Sequence, residues 1–206
     1  MLANVALHVL DAAWAQTSST LGVLVRYADD LVVLCTNRSS AEEALRRVMA
    51  TLHPLGLEIH PDKTRIVCLI RGQQGFDFLG FHHRKVESWR WRGRYYLQRW
   101  PSDRAMNSIR DKVRQATDQS NVGASIEVVV ANLNQVLRGW GGYFRNGSSS
   151  RKFAIIDSYV HERLAIFDST KHGRRGRHWQ RHARAWLERL RIYRLSGTTQ
   201  IRTAHA

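Results

Sequence analysis

The sequence is short of cysteine and of long apolar runs, and both shortages exclude whole classes of protein. Cys35 and Cys68 are its only two cysteines in 206 residues, and they form no CxxC pair. This count excludes a disulfide scaffold and a cysteine-rich zinc site, and it suits a reducing compartment. No stretch approaches the roughly 18 apolar residues that a membrane-spanning helix needs. The first fourteen residues contain His8 and Asp11 and lack the basic leader of a secretory signal. We therefore expect a cytoplasmic protein that does not cross a bilayer, with an organelle as the alternative location.

Acidic side chains are also scarce relative to basic ones. The chain carries 17 Asp plus Glu against 32 Lys plus Arg, a formal net charge of +15 at pH 7. A surplus of this size indicates a polyanionic partner, either a nucleic acid or an anionic membrane surface. No helical pattern pairs a lysine-rich face with a broad apolar face, which disfavours the membrane. Residues 1–100 hold 13 basic and 9 acidic side chains, whereas residues 101–206 hold 19 and 8. We therefore predict two domains, 1–100 and 101–206, divided near Pro101.

The first domain is predicted to mix helices and strands. An opening helix is predicted with one apolar face, formed by Leu2, Val5, Val9 and Trp14. Two apolar runs, 21–27 and 31–36, flank residues 28–30 and predict a β-hairpin. Further strands are predicted at 64–70 and 76–82. Because no helical crossover joins these two strands, at least part of the sheet is expected to be antiparallel.

A helix is predicted between these two pairs of strands, and helices alone are predicted in the second domain. Ser40 and Glu43 form a capping box for the first of these helices, and Gly56 is predicted to end it. The second domain carries four apolar stripes at helical spacing, over 106–116, 129–140, 153–167 and 179–193. The tail from Ser196 is predicted to be frayed.

The pair Asp29 and Asp30, between the two apolar runs, is the feature that decides the chemistry. Adjacent carboxylates beside apolar strands are costly unless a positive group neutralises them. A divalent ion is one solution, because Mg²⁺ takes hard oxygen ligands, keeps several waters and binds substrate phosphates. Two such ions can stabilise both the attacking and the leaving oxygens of a phosphoryl transfer. The alternative is an ordinary exposed turn, in which Asp is a favoured residue. The apolar flanks and the Tyr-Ala prefix favour the metal.

Four sequence blocks, in order along nearly the whole chain, extend this interpretation. They are RYADD at 26–30, GLEI and PDKT within 56–64, FLGF at 78–81, and LNQVLRGW at 133–140 followed by Tyr143 and Phe144. The set resembles the group II intron-encoded reverse transcriptases/maturases. The first block resembles their polymerase motif, and the last resembles the signature of their maturase domain (domain X). The resemblance implies an α+β fold. In it a partial reverse transcriptase palm, made of a β-hairpin and antiparallel strands with helices, precedes an all-helical thumb/maturase domain.

The resemblance also implies roles for particular residues. Asp29 would be a catalytic ligand of Mg²⁺, with Asp30 beside it as a supporting acid. Lys63 would lie near the phosphates of the incoming nucleotide, where a cation can stabilise developing charge; the alternative is a solvated turn lysine. In the GWGG segment, 139–142, Trp140 is expected to pack and the glycines to permit close helix approach. The implied partners are group II intron RNA, whose splicing the maturase region assists, and an RNA template with a DNA primer.

One part of the family's pattern is absent from these 206 residues. The polymerase palm needs a further catalytic Asp from an earlier strand, and only 26 residues precede Tyr27. Asp11 is the only acid upstream of the pair, and on a helix it is not expected to be a ligand. We therefore expect a C-terminal portion of such an enzyme, with weak or no polymerase activity alone and a missing fingers/palm segment as a partner. The alternative function is a non-enzymatic RNA-binding module that assists splicing with an inert palm remnant. No endonuclease is expected.

Basic side chains in the second domain are the predicted RNA contacts. They are Arg138, Arg145, Lys152, Lys171, Arg174, Arg175, Arg177 and Arg181. A second basic cluster, at 84–99, interleaves arginine with Trp89, Trp91, Tyr95 and Tyr96. Two interpretations of this cluster stay open. The aromatic rings belong to a core that the arginines solvate, or both kinds of side chain stack on unpaired bases.

Overall fold

The structure of the protein, a computed structural model, describes residues 2–173 and 184–200. The first half of the chain contains all five described strands together with two α-helices, and helices follow in the second half, which confirms the predicted α+β class. Among these described residues, no helix combines the length and the apolar character that crossing a membrane requires.

The backbone forms two compact units. The first contains the residues up to Leu79 together with 87–95, and the second contains 80–86 together with the residues from Tyr96 onward. The domain boundary near Pro101 stays a prediction.

The first unit is built around a β-hairpin. Its elements are α1 (Leu2–Ala13), a π-helical turn (Trp14–Ser18), β1 (Gly22–Tyr27), β2 (Asp30–Cys35), α2 (Arg38–Leu52), 3-10 turns at His53–Leu55, Pro61–Lys63 and Ile70–Gly72, and β3 (Gly75–Phe78). The two strands of the hairpin pair antiparallel, with Val23 opposite Leu34 and Tyr27 opposite Asp30. Since side chains alternate along a strand, one face of the hairpin packs on the helices and the other is exposed.

The core of this unit shows that the predicted apolar face of α1 is wrong in part. Trp14 is buried as predicted, but Val5 and Val9 are exposed, and Leu7 and Leu10 are buried instead. They pack with Ala44, Val48 and Leu52 of α2. The physical reason is that α1 is apolar over most of its circumference, so the partner helix and the hairpin select the buried face.

The predicted capping box of α2 is also wrong. The helix begins three residues earlier than expected, with Asn37 as its N-cap, whose Oδ1 accepts a hydrogen bond from the Ser40 backbone N–H at 2.8 Å. Glu43 instead forms ion pairs with the guanidinium groups of Arg46 and Arg47, one turn along the helix. The predicted stop is confirmed, since Gly56 takes up a left-handed conformation after the 3-10 turn.

The remaining strand predictions of the first half fail in two ways. No strand forms over 64–70, where irregular backbone leads into a 3-10 turn. The strand predicted over 76–82 is interrupted at its centre, because Leu79 and Gly80 both have positive φ. Two successive positive φ values are those of a tight hairpin turn, which ends β3 at Phe78.

The second unit combines two neighbouring strands with helices. Its elements are β4 (Phe81–Glu87), β5 (Tyr95–Pro101), α3 (Asp103–Ala116), a 3-10 turn (Gln119–Asn121), α4 (Ile126–Phe144), α5 (Ser150–Lys171) and α6 (Arg184–Arg189). The first three predicted stripes are confirmed, because they supply a common core. Fully buried members include Ile109 and Val113 of α3, Leu133 of α4, and Phe153 and Leu164 of α5.

The end of the chain differs from its prediction. The fourth helix ends at Arg189, before Leu190 and Tyr193, and Arg191 has a positive φ; Trp179 and Ala183 lie outside the described residues. The tail from Ser196 is not frayed up to residue 200. Its Ser196 and Gln200 backbone N–H groups donate to the second unit's helices, so tertiary hydrogen bonds hold a segment that has no regular structure of its own.

Candidate functional site

The two adjacent aspartates lie at the tip of the β1–β2 hairpin. Ala28 and Asp29 form a two-residue turn, and Asp30 is the first residue of β2, opposite Tyr27. Ala28 has a φ of 54°, the positive value that two-residue hairpin turns require at their first central position, where glycine is usual. Both aspartates are exposed. The apolar strands therefore present two adjacent carboxylates to solvent on a turn that holds one residue in a costly conformation, as functional sites often do.

Arg26 ties this turn to helix α1. Its Nε donates to Asp11 Oδ1 at 2.9 Å and its NH2 group to Asp11 Oδ2 at 2.5 Å, so the pair is bidentate. A further bond runs from its NH1 group to the Ala28 carbonyl oxygen at 2.9 Å. The Arg26 guanidinium holds the pKa of the Asp11 carboxyl below its ordinary value. Asp11 is thus engaged as a partner of Arg26.

Sequence reasoning assigned Arg26 no role. It lies 15 residues from Asp11, and no local spacing rule joins a helix residue to a strand residue at that separation. The available signal was indirect: Arg26 is on the same strand face as Leu24, the face that packs against the helices. An arginine on that face needs a carboxylate, and Asp11 is the only acid that precedes it.

The carboxylate oxygens of Asp29 and Asp30 at the hairpin tip are donors of the kind that suits Mg²⁺. Carboxylates are the hard ligands that Mg²⁺ prefers, and this ion commonly takes one or two of them and completes its shell with waters and substrate phosphates. Within residues 2–173 and 184–200, no group of three His, Cys, Asp or Glu side chains comes together as a metal site. Asp29 and Asp30 are therefore two oxygen donors of the kind that Mg²⁺ prefers, and no third such side chain joins them among the described residues.

Lys63 lies on a different segment of the first unit. It ends the 3-10 turn Pro61–Lys63, its side chain is exposed, and its backbone N–H donates to the His60 carbonyl at 3.2 Å. In the described part of the chain, no ion pair joins Lys63 to Asp29 or Asp30. Among the described residues, the fold therefore carries both features without joining them by an ion pair.

The predicted RNA contacts that the structure describes surround the two long helices of the second unit. Arg138 is on α4, exposed, with its guanidinium 5.2 Å from the centre of the Tyr193 ring. Arg145 is exposed at the C-cap of α4. Lys152, in the first turn of α5, pairs with Asp103 at 3.2 Å. Lys171, in the last turn, donates to the Ala124 carbonyl at 2.5 Å. The remaining predicted contacts lie outside the described residues: Arg174, Arg175, Arg177 and Arg181.

Two residues on the helices of this unit bind the C-terminal segment 191–200, and sequence reasoning gave neither this role. Asn134 accepts the Tyr193 N–H at 2.5 Å and donates to the Arg191 carbonyl at 3.0 Å. Asp157 accepts the backbone N–H groups of Leu195 and Ser196 at 2.9 and 2.8 Å. Asn134 belongs to the LNQVLRGW block at 133–140. Part of this block therefore has a structural role, because Asn134 holds a segment distant in sequence against helix α4.

The glycines of the GWGG segment were predicted to permit close approach of another element, and they do so only at Gly141. A Cβ built on Gly141 would lie 2.5 Å from Leu195 Cδ2, whereas one built on Gly139 or Gly142 would have no neighbour within 4 Å. Trp140 packs against Phe144 and Phe153, with ring centres 4.8 and 5.5 Å apart. The close approach that needs a glycine is thus between α4 and the C-terminal segment.

Comparison with known protein families matches two parts of the chain. Residues 1–83 match the family described as reverse transcriptase (RNA-dependent DNA polymerase), and residues 106–186 match the group II intron, maturase-specific domain. A comparison with curated proteins finds no match. The first match contains the aspartate hairpin, and the second contains α4, α5 and the GWGG segment. Since both occur in one chain, in the order that the sequence blocks predicted, the protein belongs to the group II intron-encoded reverse transcriptases/maturases.

Proposed function

We propose that this chain binds group II intron RNA through its second unit, which contains the maturase-specific match, and contributes the Asp29–Asp30 hairpin to a magnesium-dependent polymerase centre. Family membership implies intron RNA and nucleic-acid templates as partners, and divalent metal use in general. The observation that carries the polymerase part is the presentation of two adjacent, exposed carboxylates on the tip of a hairpin whose other face is packed. The free thiols of Cys35 and Cys68 suit a reducing compartment, and we propose the cytoplasm as the location.

In this proposal Asp29 and Asp30 are the residues that hold Mg²⁺. When bound, the ion supplies positive charge against the phosphate oxygens of an incoming nucleotide. Lys63 is proposed to lie near the same phosphates and to stabilise their charge. Arg26 is a positioning residue, because it binds the carbonyl of the residue directly before Asp29. The RNA template and the DNA primer are the proposed substrates of this centre.

Metal binding is tested directly with Mn²⁺ as a paramagnetic probe. Signals of backbone amides near the ion broaden in the spectrum of the isotope-labelled full chain. We expect broadening centred on residues 28–31, reversed by excess Mg²⁺ and lost in Asp29→Asn. Asp62→Asn is the matched control, because Asp62 is an exposed acid of the same unit on another turn. Broadening centred elsewhere, or unchanged in Asp29→Asn, would contradict the metal site.

Primer extension tests the polymerase role of the pair and separates it from the non-enzymatic alternative. The reaction contains an RNA template, a DNA primer, deoxynucleotides and Mg²⁺. Under the proposal, any extension that the chain supports is abolished by Asp29→Ala, while RNA binding is retained. Extension that survives this change would show that the hairpin is not catalytic.

The RNA contacts are tested by the salt dependence of binding. Each phosphate that a protein neutralises on a single strand contributes about −0.7 to the slope of log affinity against log salt. Replacing Arg138, Arg145 and Lys152 by Ala is expected to reduce the slope by about 2. A second set, Arg174, Arg175 and Arg177, is expected to flatten it likewise. The control is Arg38→Ala, because this exposed arginine lies on α2 of the first unit, outside both sets. An unchanged slope in either set would remove that set from the binding surface.

A further inference from the structure

We propose that the segment between β4 and β5, residues 88–94, is a separate binding site for unpaired nucleotides, with Trp89 and Trp91 stacking on bases. We name it the Trp-Arg loop. The proposal deepens the RNA binding proposed above, and it uses none of the residues assigned there. It also decides between the two interpretations that the sequence left open for the cluster at 84–99.

The exposure of the two tryptophans excludes a core role. Trp89 is 90% exposed, the highest value among the exposed large hydrophobic residues in the described part of the chain, and Trp91 is 56% exposed. An indole ring left in water retains a large apolar surface that a partner can bury. Tryptophan also has a broad flat face, on which any base can stack.

The backbone of the Trp-Arg loop is held in place by its own hydrogen bonds. The Ser88 N–H donates to the Arg94 carbonyl at 2.7 Å and closes the loop. The Ser88 hydroxyl oxygen accepts from the N–H groups of Arg90 and Trp91 at 3.3 and 3.2 Å. The Gly93 N–H donates to the Glu87 carboxylate at 2.7 Å. A ligand therefore meets a backbone that is already ordered, which reduces the entropy that binding must overcome.

The charge of the Trp-Arg loop indicates an anionic ligand. Arg90, Arg92 and Arg94 are all exposed. The guanidinium groups of Arg90 and Arg94 lie 5.4 and 5.7 Å from the centre of the Trp91 ring, within the range of a cation–π contact. Within the described part of the chain, no carboxylate forms an ion pair with any of the three. The acid at the start of the loop, Glu87, already accepts a backbone N–H.

Unpaired nucleotides are the ligand that combines both requirements. Each offers a planar apolar base for an indole ring and a phosphate for a guanidinium, and the two alternate along the strand as Trp and Arg alternate along 89–92. A duplex keeps its bases stacked inside and offers only phosphates. An anionic membrane would attract the same side chains, and it is treated below as an outcome that overturns the proposal.

The test measures binding of the full chain to a fluorescent single-stranded RNA of about 12 nucleotides, to the DNA of the same sequence and to the RNA duplex. Trp89→Ala with Trp91→Ala is expected to weaken binding to the single-stranded RNA by about 100-fold, and binding to the duplex by about twofold at most. Trp89→Phe with Trp91→Phe keeps two aromatic faces and is expected to restore most of the affinity. A 2-aminopurine in the strand reports stacking by loss of its fluorescence. If the double Ala variant loses as much affinity for the DNA strand as for the RNA strand, the site binds unpaired nucleotides of either sugar. If the loss is smaller on the DNA strand, the site is specific for RNA.

The control for folding is the far-UV circular dichroism spectrum, which is expected to be unchanged because both side chains are exposed. The control for charge is Arg38→Ala, outside the loop. Equal RNA affinity of the wild type and the double Ala variant would overturn this inference and leave the proposed RNA binding intact. If the wild type binds neither the single-stranded RNA nor the RNA duplex, both this inference and the proposed RNA binding are overturned. The same two proteins are also tested on phosphatidylserine vesicles. If the double Ala variant loses vesicle binding but keeps its affinity for RNA, the loop belongs to a membrane contact and the inference is overturned as well.

Discussion

Adjacent glycines near the end of α4 provide a test of how the C-terminal segment packs on the maturase helices. Gly141 and Gly142 share a helix, and each can be replaced by Ala. A Cβ at position 141 would lie 2.5 Å from Leu195 Cδ2 and 3.7 Å from the Tyr193 ring, whereas a Cβ at 142 would meet nothing within 4 Å. Leu195 is fully buried, and its backbone N–H is bound to Asp157. It therefore has little room to withdraw.

The expected magnitudes follow from two opposing effects. Replacing a helical Gly by Ala favours the helix by up to about 1 kcal/mol. Forcing an extra methyl group into a packed core costs about 1–3 kcal/mol. Only the first effect applies at Gly142, so Gly142→Ala is expected to stabilise the protein by up to about 1 kcal/mol. Both apply at Gly141, so Gly141→Ala is expected to lower the free energy of unfolding by up to about 2 kcal/mol.

The assay is urea unfolding of the full chain, followed by far-UV circular dichroism. With a slope of about 1–3 kcal/mol per molar urea, a difference of about 2 kcal/mol between the two variants moves their midpoints apart by about 1 M. Leu195→Ala in the Gly141→Ala background supplies a check. Because it removes Leu195 Cδ2, the atom that the new Cβ at position 141 would meet, Gly141→Ala is expected to cost less in this background than in the wild type. Equal midpoints for the two single variants would refute the close approach of α4 and the C-terminal segment.

Three further predictions concern hydrogen bonds that the tertiary structure creates. Asp157→Ala removes two acceptors from backbone N–H groups of the C-terminal segment, so we expect a loss of about 2 kcal/mol or more in unfolding free energy and faster amide hydrogen exchange over 195–200. Asp11→Asn is expected to flatten the stability profile at acid pH. The pKa of Asp11 is lowered in the folded protein, so its contribution is present above the ordinary carboxyl pKa and is lost as the pH falls through the lowered one; a profile below about pH 4 that matches the wild type would contradict this. Arg26→Ala is expected to speed amide exchange across the hairpin turn, because the Ala28 carbonyl loses its partner. Arg38→Ala, which breaks an exposed pair on α2, is expected to leave that exchange unchanged.

The sequence alone determined the elements whose signal is local. The helical spacing of apolar residues in α3, α4 and α5 identified their buried faces, because 3.6 residues per turn places such side chains on one side whatever they pack against. The hairpin was equally accessible, since two apolar runs on either side of Asp29 and Asp30 leave the chain few other ways to pair. The order of the sequence blocks also identified the family from the sequence.

Only the tertiary structure decided features that depend on residues distant in sequence. Helix α1 has more than one apolar face, and its neighbours selected Leu10 over Val9. The partnership of Arg26 with Asp11 and the capture of the C-terminal segment by Asp157 join residues whose separation follows no periodic rule. The same holds for Trp89, because an apolar side chain in a mixed cluster is a core residue or a binding surface according to what folds over it. Local spacing fixes which residues share a face, and long-range packing fixes which face is covered.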